Sequence, residues 1–156
     1  MGKNIFTTIA ILAGITLALG GCDDKHKSET RTEDGHATIT FGNTKVQVAD
    51  DHASGVTLPA NMPAYAAVYP GADVRAVVTT NDASMTAMIT YATTAKPGDV
   101  LAFHKKNAAA AGLDMSQDVQ LGGVWHFAAQ KKSGDANLTV TIVAENGRYS
   151  VQETYK

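Results

Sequence analysis

Five histidines, His26, His36, His52, His104 and His126, a single cysteine, Cys22, and the adjacent carboxylates Asp50 and Asp51 are the side chains best equipped for ligation or reaction. A zinc site needs three or four His, Cys or carboxylate donors converging on one point, and its usual trace is a pair such as two His at i and i+4 of one helix. No two histidines here have that spacing, and there is no second cysteine. Asp50, Asp51 and His52 form the densest ligand cluster, yet neighbours on a loop rarely converge on one ion, so solvated loop charge is the expectation and no cofactor is implied. Nucleophilic chemistry lacks its signatures too: there is no Gly-x-Ser-x-Gly elbow, no His-Glu-x-x-His and no phosphate-cradling glycine loop. The sequence therefore predicts a protein that is not an enzyme. A hydrolase would have to assemble its site from residues far apart in the chain.

Cys22 has a setting of its own. It follows Lys3, an apolar run over residues 5–19 (IFTTIAILAGITLAL) and two glycines. Fifteen residues make a helix of about 22 Å, short of the roughly 30 Å hydrocarbon core, and the small residues at its end suit cleavage, so a signal peptide is expected over residues 1–21. A lone thiol can close no internal disulfide and is a liability in an oxidising compartment, which acylation would remove. Cleavage before Cys22 takes Lys3 away and leaves 135 residues, with 12 basic side chains against 15 acidic ones. The full chain carries a net charge of -2, which supplies no basic field for a phosphate backbone, so no nucleic-acid partner is expected.

Leu19-Gly20-Gly21-Cys22 resembles the lipobox of bacterial prolipoproteins, an aliphatic residue and two small ones before the acylated cysteine. The resemblance implies a thioether-linked diacylglycerol on Cys22, often with an N-acyl chain such as palmitate, and hence a lipid bilayer as partner. Two or three such chains, at about 0.8 kcal/mol per buried methylene, would hold the protein far more firmly than one. Asp23 and Asp24 stand where an acidic residue resembles the inner-membrane retention signal of enterobacterial lipoproteins. That rule varies with lineage; the implied place is the periplasmic side of the cell membrane, the inner membrane before the outer.

The elements that must carry any site follow the anchor. Residues 23–35 (DDKHKSETRTEDG) contain no aliphatic or aromatic side chain and read, with Cys22, as a flexible tether over 22–35. Residues 36–156 read as one α+β domain, a mostly antiparallel sheet of short hairpins with one helix over about 97–111 packed on one face. Closing the first hairpin at Gly42-Asn43 sets Phe41, Ile39 and Ala37 opposite Thr44, Val46 and Val48 on an apolar side, with Thr38, Thr40, Lys45 and Gln47 on a wet one, as a sheet with a single covered face requires. Residues 50–63 read as loop; 74–80 and 85–93 as a second hairpin; 124–130, 138–145 and 148–155 as closing strands. The Asn146-Gly147 turn places Val140 opposite Glu153 on the apolar side, so Glu153 should lie at the sheet margin or have a partner. Pro97 and Asp99 suit a helix start, Gly112 a left-handed stop, and His104 the margin of the core.

Within that frame the segment TLPANMPAYAAVYPGA, residues 57–72, with its Tyr69-Pro70-Gly71-Ala72 before a Val-rich strand and a helix ending Ala111-Gly112-Leu113, looks like small bacterial lipoprotein domains of the Tyr-Pro-Gly-Ala type. Many such domains have no assigned activity. The four residues alone are readable as a chain reversal, Pro70 fixing φ and Gly71 tolerating a positive one. A non-catalytic binding or scaffolding role in the cell envelope is the resulting expectation, with a small ligand- or metal-binding periplasmic domain as alternative. Tyr65, Tyr69, Trp125, Tyr149 and Tyr155 are the candidate contacts with an envelope protein partner, because Tyr and Trp carry much interface energy, although each also suits a core or a sheet face.

Overall fold

A computed structural model of the chain describes residues 28–33, 35–49, 55–81 and 86–156. Among the described residues, nine strands form one open antiparallel sheet: β1 Ser28–Glu33, β2 His36–Phe41, β3 Thr44–Ala49, β4 Asp73–Thr80, β5 Thr86–Thr93, β6 Asp114–Leu121, β7 Val124–Gln130, β8 Asn137–Glu145 and β9 Arg148–Tyr155. Their spatial order is β1-β2-β3-β4-β5-β9-β8-β7-β6. One α-helix, α1, spans Pro97–Ala110, and a 3-10 turn spans Ala64–Ala66. Among the described residues, no helix is long and apolar enough to cross a membrane.

Hairpin registers follow the alternation of side chains. Phe41 pairs with Thr44, Ile39 with Val46 and Ala37 with Val48, as expected for a turn at Gly42-Asn43. Glu145 pairs with Arg148, Ile142 with Val151, Val140 with Glu153 and Leu138 with Tyr155. The helix begins with Pro97 at its first position, where a missing N–H costs nothing, and Asp99 in its first turn. It stops because Gly112 takes φ +73° while its N–H donates to Ala109 O and the Leu113 N–H to Ala108 O. Leu113 then folds into the core.

Two strands lie outside the sequence-based outline. β1 falls within the stretch read as tether: its backbone pairs with β2 from Ser28 opposite Phe41 to Glu33 opposite His36. An edge strand needs only main-chain bonding on one side, so a run such as SETRTE, without a residue to bury, forms one. β6 was not foreseen because all eight of its residues are exposed, leaving no burial pattern to read.

A further correction concerns which face is covered. Facing residues on paired strands share a side, so Ile89, Tyr91, Phe127, Leu138, Val140, Ile142, Val151, Glu153 and Tyr155 form one buried face. Onto it pack Val100, Leu101, His104 and Ala108 of α1, with Ala66 and Leu113. Continuing the registers through β4 and β3 puts Lys45 and Gln47 on this covered side and Ile39, Phe41, Val46 and Val48 on the opposite one. The hairpin is two-sided, as read, but its apolar side faces away from the helix. The alternation within a hairpin fixes what is paired with what; only the strands beyond it decide which side gets a roof.

Candidate functional site

Three places have polar groups or cavities arranged in ways that simple packing does not require. The first lies under α1. The helical period points His104 inward, one turn after Leu101, while the strand period points Tyr91 of β5 and Glu153 and Tyr155 of β9 toward it. His104 and Glu153 are both 0% exposed and Tyr155 is 1% exposed. The Tyr91 hydroxyl lies 2.7 Å from His104 Nε2. Tyr91 can then donate to Nε2, which leaves the imidazole proton on Nδ1, an atom without a hydrogen-bond partner.

Burial sets the protonation of this cluster. It pulls the His104 imidazole down to about 4, holding it neutral, and pushes the Glu153 carboxyl up to about 9, holding it protonated at neutral pH. Neither Glu153 oxygen has a hydrogen-bond partner, nor does the Tyr155 hydroxyl. Tyr155 is pushed up to about 12, first by burial, then by Glu153 and Tyr65 beside it, and Tyr91 is raised well above an ordinary phenol, again first by burial and then by Glu153. Glu153 was expected at the sheet margin or with a partner; instead it sits in β9, between β5 and β8, facing Ile89 and Val140. His104, expected at the margin of the core, is wholly inside it. Neutral acid, neutral base and phenols are thus assembled where solvent does not reach.

The second place is a groove of about 400 Å³ lined by Val48, Ala76, Thr90, Ala92, Arg75, Arg148 and their neighbours near the Asn146-Gly147 turn. Its floor is apolar or hydroxylic. Arg75 reaches Asp73 at 2.7 Å, and Glu145 lines the groove across the pair from Arg148, so its charges are balanced.

The third is the sheet face opposite α1. Ile39, Val46, Val78 and Met88 face one another in a single row across β2, β3, β4 and β5. Gln152 Nε2 donates to Met88 Sδ at 3.2 Å at the end of that row. Phe41 is 53% and Val48 41% exposed. Farther along, Leu121, Val124 and Val143 are also exposed on this side. On the same side His126 takes hydrogen-bond contacts with Thr141 at 3.1 Å and Gln117 at 3.0 Å.

The aromatic residues singled out from the sequence are positioned mostly for packing. Tyr155 is buried, and Tyr65, Tyr69, Trp125 and Tyr149 are partly buried against the core. Tyr65 donates to the Lys156 carbonyl at 2.5 Å, Tyr69 meets Phe103 edge-on at 5.4 Å, and Trp125 meets Tyr149 edge-on at 6.0 Å. Pro70 and Gly71 form the expected reversal, Gly71 at φ +76° with the Ala72 N–H donating to Tyr69 O. Cys22, Asp50, Asp51, His52 and His26 lie outside the described residues. Among the described residues, no group of three or more His, Cys, Asp or Glu is placed to hold a metal ion. Sequence reasoning missed the buried state of Glu153, the groove and the uncovered row; the one readable signal was the pairing of Glu153 with Val140.

Comparison with protein-family models, with curated proteins and with solved structures finds no match for the chain or its fold.

Proposed function

We propose that this chain is a lipid-anchored envelope lipoprotein whose α+β domain works by binding or scaffolding rather than by catalysis. The anchor rests on the sequence, an apolar run ending in Leu19-Gly20-Gly21-Cys22. The non-catalytic reading is carried by one observation: the acid and base with the most displaced protonation, Glu153 and His104, are wholly buried, where no substrate meets them. Surfaces are what the domain offers instead, with the bilayer as partner through Cys22 and a further envelope protein as the binding target. Periplasmic exposure follows from the export signal, and Asp23 and Asp24 favour the inner membrane.

The anchor is tested by growing cells with a labelled fatty acid. Wild-type chain should carry the label, lose residues 1–21 and sediment with membranes, and Cys22→Ser should carry none and stay as precursor or be released. Label on the serine variant, or none on the wild type, overturns the reading. A second reading, a small-ligand domain, is favoured by the groove at Arg75 and Arg148, and thermal shift of the folded chain against a panel of small anions and sugars separates it: a saturable rise abolished by Arg148→Ala supports it.

A further inference from the structure

The surface opposite α1 has a property that solvent-facing sheets normally avoid. On β2 to β5 it presents three cross-strand rows: Phe41, Thr44, Thr80, Thr86; then Ile39, Val46, Val78, Met88; then Ala37, Val48, Ala76, Thr90. None of these twelve positions is charged. Exposed sheet surface usually carries Lys or Glu, which keeps it from sticking. The opposite side of the same hairpins does carry charge, at Lys45. A hydrophobic patch of uncharged residues on a sheet face with no layer above it among the described residues marks a contact surface.

We infer that this face of β2 to β5 rests on the phospholipid bilayer to which the chain is anchored, its Phe41 and aliphatic row entering the headgroup boundary. The inference rests on the lipid attachment proposed for Cys22 and names the surface that attachment would present. Where the chain enters the fold argues for the bilayer over other occupants. β1 starts at Ser28, paired with Phe41, and Ser28 is six residues from Cys22. Six residues reach at most about 20 Å, so an acylated Cys22 holds the Phe41 end of the patch within that distance of lipid. Confinement at such range raises effective concentration, and modest apolar contacts then suffice. The composition fits as well: the polar members of the three rows are threonines, able to hydrogen-bond at headgroup depth, and the next carboxylate on this face of β4, Asp73 opposite Ala92, is paired with Arg75 at 2.7 Å. The second apolar cluster, at Leu121, Val124 and Val143, does not share this position. Twist of about 20–25° per strand turns a nine-stranded sheet by about half a turn from edge to edge, so both ends cannot lie on one plane.

The test uses the full lipidated chain in vesicles of phosphatidylethanolamine and phosphatidylglycerol. Acylation blocks the only native thiol, so Phe41→Cys supplies one site for an apolar fluorophore, and Lys106→Cys, on the exposed side of α1, supplies a control. With brominated acyl chains in the vesicles, emission from position 41 should be quenched and that from position 106 unchanged. Adding Val48→Glu should remove the quenching at 41 while leaving the chain membrane-bound. Equal emission at 41 and 106, or energy transfer between labels at 41 on separate copies without lipid quenching, overturns the inference; the latter assigns the face to a second copy of this chain. Mass spectrometry of the same sample separates the two readings. If Cys22 proves unmodified, the anchor fails by itself, and the labelled Cys22→Ser chain mixed with the same vesicles still decides the patch: quenching at 41 alone upholds it and no quenching rejects it.

Discussion

Glu153 and His104 bend the stability of the domain with pH in opposite directions. The carboxyl is raised from 4.5 to about 9 on folding, so the folded chain holds a proton the unfolded one releases, and stability falls as pH climbs between those values. The imidazole is lowered from 6.5 to about 4, so the unfolded chain takes up a proton the folded one refuses, and stability falls as pH drops below 6.5. Between about 4.5 and 6.5 the two slopes cancel, and above 6.5 the carboxyl acts alone. Urea denaturation across pH 4 to 9 should show a plateau followed by an alkaline decline on the order of a few kcal/mol, and Glu153→Gln should flatten that decline and turn the plateau into a slope, stability falling as pH drops below 6.5 because His104 is then uncompensated. A decline of the same steepness in the variant would assign it to other groups. Tyr91→Phe removes the donor facing His104 Nε2 in a dry interior and should cost about 1–3 kcal/mol at any pH in that range.

Elements built from a strong local signal were legible in the sequence, and those without one were not. The helix stop at Gly112 was readable because a left-handed residue closes the last turn, and nothing lies within 4 Å of where a Cβ would stand. Gly112→Ala should therefore cost only backbone strain, about 1 kcal/mol by denaturation, with no change in the folded spectrum. The hairpins at Gly42-Asn43 and Asn146-Gly147 were readable down to the pairing of residues. β1 and β6 were not, because at both edges of the sheet main-chain bonding does what side-chain patterning does elsewhere. The candidate site was less visible than the fold. His104 looks like any histidine on an amphipathic helix, and Glu153 like any charge on a strand, until β9 is placed between β5 and β8 beneath α1. Which hairpin face remains open depends on pairings between residues more than thirty positions apart, such as Val46 with Val78, which local periodicity does not encode.

For the molecule as a whole, the sheet order separates dispensable ends from an indispensable one. β1 is an outer strand, whereas β9, which follows every other strand in the sequence, is hydrogen-bonded on both sides, to β5 and to β8. Its side chains Val151, Glu153 and Tyr155 lie in the middle of the buried face. A chain lacking residues 1–35 should keep a cooperative thermal transition, and one ending at residue 147 should lose it; calorimetry of the two truncations distinguishes them, and a sharp transition in the second would contradict this account. Contacts of such long sequence separation also predict folding in milliseconds to seconds rather than microseconds.

The keystone of this arch is thus delivered last. Until residues 148–155 emerge from the ribosome, the strands already made form two incomplete halves with no strand between β5 and β8 to join them. Every product that stops short of residue 148 stays open to a protease, and only a polypeptide that includes β9 can lock.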